Sequence, residues 1–194
     1  MLTDRFADAV QYAVNLHRSQ VRKATSIPYV THLFAVCSLV LEDDGTEDEA
    51  IAALLHDGPE DQGGLAVLDE IRGRFGVVVA EMVDGLSDAI PSLGETKAPW
   101  RERKERYLVH LVGAPASVLR VSLADKLHNA RSVQVGLRAD GEAVWDRFNA
   151  GRSEQAWYYR ELLAIFEGRL PASRNLPQLR EVVLDLFGPR SEAP

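Results

Sequence analysis

The sequence predicts an all-α domain, and three observations carry that expectation. Apolar residues recur near a period of 3.6, as in Phe6, Ala9, Val10, Ala13, Val14 and Leu16. Helix start and stop signals punctuate that pattern at short intervals. Val, Ile and Thr nowhere alternate over a stretch that would make a strand. The 194 residues suit one domain that buries a core without disulfides or structural zinc. With 46% hydrophobic and 26% charged residues, the composition is that of a folded chain rather than a disordered one.

Residues 3–19 read as an amphipathic helix, followed by a basic stretch over 18–23. Pro28 opens a second helix that runs to about residue 42, because proline is tolerated in a first helical turn. Thr46 and Glu49 match a capping box, in which each side chain satisfies a free amide of the helix start. The helix behind them holds Ile51, Ala52, Leu54 and Leu55 and stops at Gly58-Pro59. Helices follow over 65–74 and 77–87, parted by Phe75-Gly76. Residues 88–99, with Pro91, Gly94 and Pro99, read as a long loop of the kind that forms lids and binding segments. Further helices fit 100–112, 116–135, 140–149, 153–168 and 176–187. One domain is expected over 1–194, with its core at 3–135, terminal helices at 136–187 and a frayed tail at 188–194.

Charge and cysteine content narrow the function classes. Lys and Arg number 22 against 29 Asp and Glu, a net charge of −7, which argues against broad nucleic-acid binding. An anionic ligand would need a local cluster of positive charge. The longest apolar stretch, over 33–41, falls short of the 18 or so residues that cross a bilayer, so no membrane partner is expected. The first residues lack the basic end and apolar run of a secretion signal. Cys37 has no second cysteine to pair with and reads as a buried apolar residue of a reduced, cytoplasmic protein.

His56-Asp57 and Glu60-Asp61 put four ligands or bases into six residues, around a turn forced by Gly58-Pro59. Taken alone, the pair is a polar helix end facing solvent. His32 stands at the start of an otherwise apolar helix, where a lone histidine is more often a hydrogen-bonded core residue. Asp125 shares a helical stripe with Val118, Val121, Asn129 and Ser132, on a helix that is apolar on another side as well. A carboxylate there is paired, metal-bound or facing a polar cavity, since an uncompensated buried charge costs several kcal/mol. A solvated stripe is the competing reading. Two imidazoles and two carboxylates suit a hard-to-borderline divalent metal that keeps positions open for water and substrate oxygens. One cysteine excludes thiolate-rich zinc chemistry.

His32, His56-Asp57 and Asp125 resemble the H…HD…D pattern of the HD-domain phosphohydrolases. With Arg22-Lys23, Pro28-Tyr29, Glu60-Asp61 and Leu123-Ala124-Asp125-Lys126-Leu127-His128-Asn129, the chain resembles the hydrolase domain of RelA/SpoT enzymes over about 3–135. Its length is similar to that of the stand-alone small alarmone hydrolases. The resemblance implies a compact helical bundle with a central metal pocket. It implies Mn2+ held by His32, His56, Asp57 and Asp125, with other divalent metals also suited to those ligands. Glu60 and Asp61 would activate water, Arg22 and Lys23 would flank the nucleotide, and Asn129 and Ser132 would hold ribose or phosphate. The implied reaction removes the 3′-pyrophosphate of (p)ppGpp, a guanine nucleotide, to give GDP or GTP and pyrophosphate. Gly58-Pro59, Ala24 and Ser132 depart from the usual pattern without removing a metal ligand. Related readings are an HD phosphohydrolase acting on another nucleotide, such as the NADPH 2′-phosphate, and a non-catalytic alarmone sensor.

Outside that pattern, Lys97 and Arg101 are candidate phosphate contacts. Arg103, Lys104 and Arg106, interleaved with Glu102 and Glu105, read as a solvated helix face. His17 reads as structural and His110 as exposed. His128 adjoins Asn129 but points about 100° away from it, which leaves it out of the site. Trp157, Tyr158 and Tyr159 read as packing against the core or against a second subunit of a homo-oligomer.

Overall fold

Helix-forming periodicity and caps build a bundle whose central rod is one long helix. The computed structural model describes residues 1–88 and 98–189. Its helices are α1 (Asp4–Leu16), α2 (Val30–Glu42), α3 (Glu47–Leu55), α4 (Gly64–Phe75), α5 (Val77–Leu86), α6 (Trp100–Gly113), α7 (Ala116–Asp140), α8 (Arg152–Arg169) and α9 (Asn175–Phe187). A π-helical turn, Pro59–Gly63, joins α3 to α4, and a 3-10 stretch, Gly141–Arg147, follows α7. The described residues contain no strand, only a single bridge between Val21 and Pro28. Among them, no helix is long and apolar enough to cross a membrane.

With 25 residues, α7 packs against α2, α3, α5, α8 and α9. Leu119, Leu123 and Leu127, four apart on α7, are fully buried with Leu33, Ile51, Leu54, Leu55, Ile71, Leu162 and Phe166. Each such side chain contributes roughly 1.5–3 kcal/mol through removal from water. Around this core, α2 and α3 pair closely, and their junction is fixed by the expected capping box. Glu49 NH donates to Thr46 Oγ1, while the Glu49 carboxylate accepts from Thr46 NH at 2.6 Å.

Local differences from expectation have physical causes. Pro28 lies outside α2: its carbonyl accepts from Thr31 NH, and Tyr29 is the residue that enters the helix. The stretch expected as a helix over 140–149 is 3-10, because Gly141 at φ 63 ends α7 in a left-handed step that favours glycine. Gly58-Pro59 does not break the chain into a loop. Gly58 has helical angles and Pro59 sits in the first turn of the π-helical segment, so the backbone curls on past His56-Asp57.

Candidate metal centre

Helix ends bring the histidines and carboxylates together. His32 lies in the first turn of α2, His56 caps the C-terminus of α3 and Asp57 follows it, while Asp125 projects from the middle of α7. His32, His56 and Asp125 are buried, and Asp57 is partly so. His32, His56 and Asp57 each offer a donor atom within 4.8 Å of the others. Asp57 Oδ2 lies 3.0 Å from His56 Nε2 and 3.5 Å from His32 Nε2. Asp125 Oδ1 is 3.3 Å from His32 Nε2 and 3.8 Å from His56 Nε2.

Outer contacts aim these atoms. His56 Nδ1 lies 2.8 Å from the Ala53 carbonyl, to which it donates, so Nε2 turns inward. That Nε2 is buried and meets no partner in hydrogen-bonding geometry among the described residues, despite the nearby Asp57 oxygen. Close nitrogen and oxygen donors that approach without aligning on one another suit a shared cation. The donor set, two imidazoles and carboxylate oxygen, is also of the right chemical type for a divalent ion. His32 Nδ1 contacts His128 Nδ1 at 2.7 Å. Burial, ahead of the neighbouring His32 and Arg22, lowers the His128 pKa to about 4, so His128 is neutral at pH 7. Tyr29 donates its hydroxyl to Asp57 Oδ2 at 2.5 Å, and burial and the Asp57 charge push the phenol pKa up. Asp125 accepts from Asn129 Nδ2 at 2.5 Å and from Lys126 Nζ at 2.6 Å.

Electrostatics fix the protonation of the metal-free cluster. Burial alone would favour neutral groups, but Asp57 and Asp125 lift His56 well above the usual imidazole range. Burial likewise opposes ionisation of the carboxylates and is outweighed, for Asp57 by His56 and His32 and for Asp125 by Lys126 and the same histidines. A divalent ion would take the place of that trapped proton.

Beside the cluster lies a cavity of about 1170 Å³. Arg22, Lys23, Lys104, Lys126, Arg131 and Arg147 line it, against the acidic Asp61 and Asp140. In a chain with net charge −7, this wall is the local concentration of positive charge that an anionic ligand needs. Asn129 and Ser132 line it too, and Arg22 Nη2 donates to Asn129 Oδ1 at 2.7 Å. Lys23 Nζ donates to Asn149, and Ser132 Oγ to the His128 carbonyl. On the π-helical turn, Asp61 accepts from Gln20 at 2.7 Å, while Glu60 accepts from the Asp88 amide at 2.8 Å.

Sequence spacing misses several members of this wall. His128, expected to point away, stands three residues from Asp125 and therefore shares its face. The spacing to Asp125, rather than to Asn129, is the signal that finds it. Arg103 and Lys104 are not solvated: both are largely buried on Asp88, and Lys104 lines the cavity. Arg101 is exposed, paired with Glu105 and Glu154 and stacked 3.3 Å over Trp157, and is absent from the cavity lining. Lys97 and most of the 88–99 loop lie outside the described residues. Tyr158 and Tyr159 are buried and line the cavity, beyond the packing role expected of them.

Comparison with known proteins agrees with this architecture. A family model described as HD domain matches residues 9–156. The guanosine-3′,5′-bis(diphosphate) 3′-pyrophosphohydrolase MESH1 of Drosophila melanogaster is 31% identical over 151 residues, covering 73% of this chain and 80% of that protein. Its Mus musculus counterpart is 32% identical over 129 residues, covering 65% and 68%. The GTP pyrophosphokinase of Streptomyces antibioticus is 36% identical over 127 residues, yet the match spans only 14% of that larger enzyme. A solved metazoan SpoT orthologue, described as hydrolysing ppGpp, superposes with a TM-score of 0.76 over 97% of this chain and 99% of that one. Its sequence identity of 24% speaks for the fold alone. The chain belongs to the HD-domain family, as a phosphohydrolase homologous over most of its length to the SpoT-like ppGpp hydrolases.

Proposed function

We propose that this protein is a manganese-dependent hydrolase that removes the 3′-pyrophosphate of (p)ppGpp, leaving GDP or GTP. The observation that carries the reading is a buried histidine–aspartate cluster bordering a basic cavity in an acidic chain. Its 31–32% identity to proteins named as 3′-pyrophosphohydrolases supports this choice of reaction. His32, His56, Asp57 and Asp125 would hold the ion, and their donor types admit other divalent metals with different affinity. When bound, the ion supplies Lewis acidity and lowers the pKa of water from about 15.7 toward about 7.

The chain's own residues do the rest. Arg22 offers a planar guanidinium for stacking on guanine, and Lys23 flanks the nucleotide. Asn129 and Ser132 hold ribose or phosphate oxygens. Asp61, fixed by Gln20, accepts a proton from the attacking water, and Glu60 on the same turn orients that water. Attack at the phosphorus bonded to the ribose breaks the P–O3′ bond. The electron pair leaves on O3′, which takes up a proton in balance with the one that Asp61 received. Neutral His128 and Tyr29 keep His32 and Asp57 in register throughout.

The test incubates purified protein and manganese with ppGpp, pppGpp and NADPH and resolves the products by anion exchange. Pyrophosphate released from ppGpp, and lost in His56→Ala, is the expected result. Phosphate released from NADPH instead would assign a 2′-phosphatase. Nucleotide binding without turnover would assign a sensor.

A further inference from the structure

Two buried polar groups of the cavity wall, Trp145 Nε1 and the Tyr158 hydroxyl, have no hydrogen-bond partner among the described residues. Tyr158, on α8, is 4% exposed. A hydroxyl left so costs about 1–3 kcal/mol, a cost that a ligand bound in the cavity would remove. One ammonium group borders the Tyr158 ring, and a second lines the same cavity over the Tyr107 ring. Lys104 Nζ lies 5.1 Å from the Tyr158 ring centroid, held there by Asp88 at 2.5 Å. Lys126, bound to Asp125 through Nζ, interacts electrostatically with the Tyr158 phenol. Tyr158, Lys104 and Lys126 line the cavity, and Lys126 adjoins a candidate metal ligand.

We propose that Tyr158, Lys104 and Lys126 form the seat of the leaving pyrophosphate. The proposal rests on the hydrolase reading and deepens it. The phenol O–H donates to a phosphate oxygen, while the two ammonium groups balance its charge from α6 and α7. Because Asp88 holds Lys104 in place, little side-chain entropy is lost when the anion arrives. Lys126, whose Nζ lies 2.6 Å from Asp125 Oδ2, links the seat to the histidine–aspartate cluster.

The test titrates inorganic pyrophosphate into wild-type protein and into Tyr158→Phe by calorimetry, with manganese in excess over pyrophosphate. Removing one charge-assisted hydrogen bond is expected to weaken pyrophosphate binding about tenfold. The melting temperature should be unchanged or higher, since the deleted hydroxyl has no partner in the free protein. Lys104→Gln, which leaves Asp88 paired with Arg103, should weaken pyrophosphate by a similar factor. Equal affinity of wild type and Tyr158→Phe, or no pyrophosphate binding by the wild type, overturns the seat. Direct binding keeps the two readings apart. Pyrophosphate weakened by Tyr158→Phe in a protein that leaves ppGpp intact sinks the hydrolase reading and keeps only a pyrophosphate-binding site. Turnover of ppGpp with unaltered pyrophosphate affinity does the reverse.

Discussion

The same three helices carry a buried polar cluster at each of two places, and the clusters are built differently. Where α2 meets α3, Asp43 accepts from Ser173 Oγ at 2.7 Å and from Arg174 NH at 2.6 Å. Glu49 accepts from Thr46 and pairs with Arg120 of α7, which also approaches Asp43 at 3.7 Å. Asn175 donates to the Leu39 carbonyl at 2.9 Å, completing a clasp that ties the start of α9 to the core. At the candidate metal centre, acidic and imidazole atoms crowd together, and His56 Nε2 lies 3.0 Å from Asp57 without hydrogen-bonding alignment. A cluster that serves stability closes its hydrogen bonds within the protein. One that serves a ligand keeps donors open at a cost to stability.

Substitutions should separate the two. The largest effect is expected from His56→Ala or Asp57→Ala, which should lower kcat by more than about 100-fold, the upper range for loss of an outer partner alone. Manganese should no longer raise the melting temperature, and the metal-free protein should lose some stability, since His56 balances two buried carboxylates and Asp57 accepts from Tyr29. An unchanged response to manganese would show that the centre is a clasp like the other one. Arg120→Ala is the mirror experiment. Stranding Asp43 and Glu49 should cost about 3 kcal/mol in urea denaturation, with kcat of the folded fraction unchanged. The smallest effect concerns His128. Unfolded, it titrates near 6.5; folded, it is depressed to about 4. Between those values the unfolded state binds more protons, so this contribution is complete above about pH 6.5 and is lost as pH falls toward 4. His128→Asn should flatten the stability–pH profile in that window by at most about 1.4 kcal/mol per unit.

Periodicity and caps placed the helices because both are local. Thr46-Glu49, the leucines of α7 and the break at Phe75-Gly76 were legible for that reason. The chemistry-bearing His32, His56, Asp57 and Asp125 stood out as polar residues in apolar surroundings, though their convergence is a tertiary fact. Sequence reasoning failed where a partner lies across the fold. Nothing near Lys104 in the chain announces Asp88, so Arg103 and Lys104 looked solvated, and the exposed Arg101 was chosen as a phosphate contact instead. Tyr158 was concealed differently. In an aromatic run, packing and ligand contact have the same composition, and only the unmatched hydroxyl tells them apart.

The bond from His56 Nδ1 to the Ala53 carbonyl has a consequence for how the centre is loaded. A helix terminus always exposes carbonyls in want of a donor, and here the imidazole answers that want within its own turn. The ring is thereby aimed by local backbone geometry before any cation arrives. A cation entering there would have to displace the proton that Asp57 and Asp125 hold on His56. Exchange of one divalent species for another should accordingly leave the helices where they stand, so that the choice of metal can drift over evolutionary time without any redesign of the scaffold.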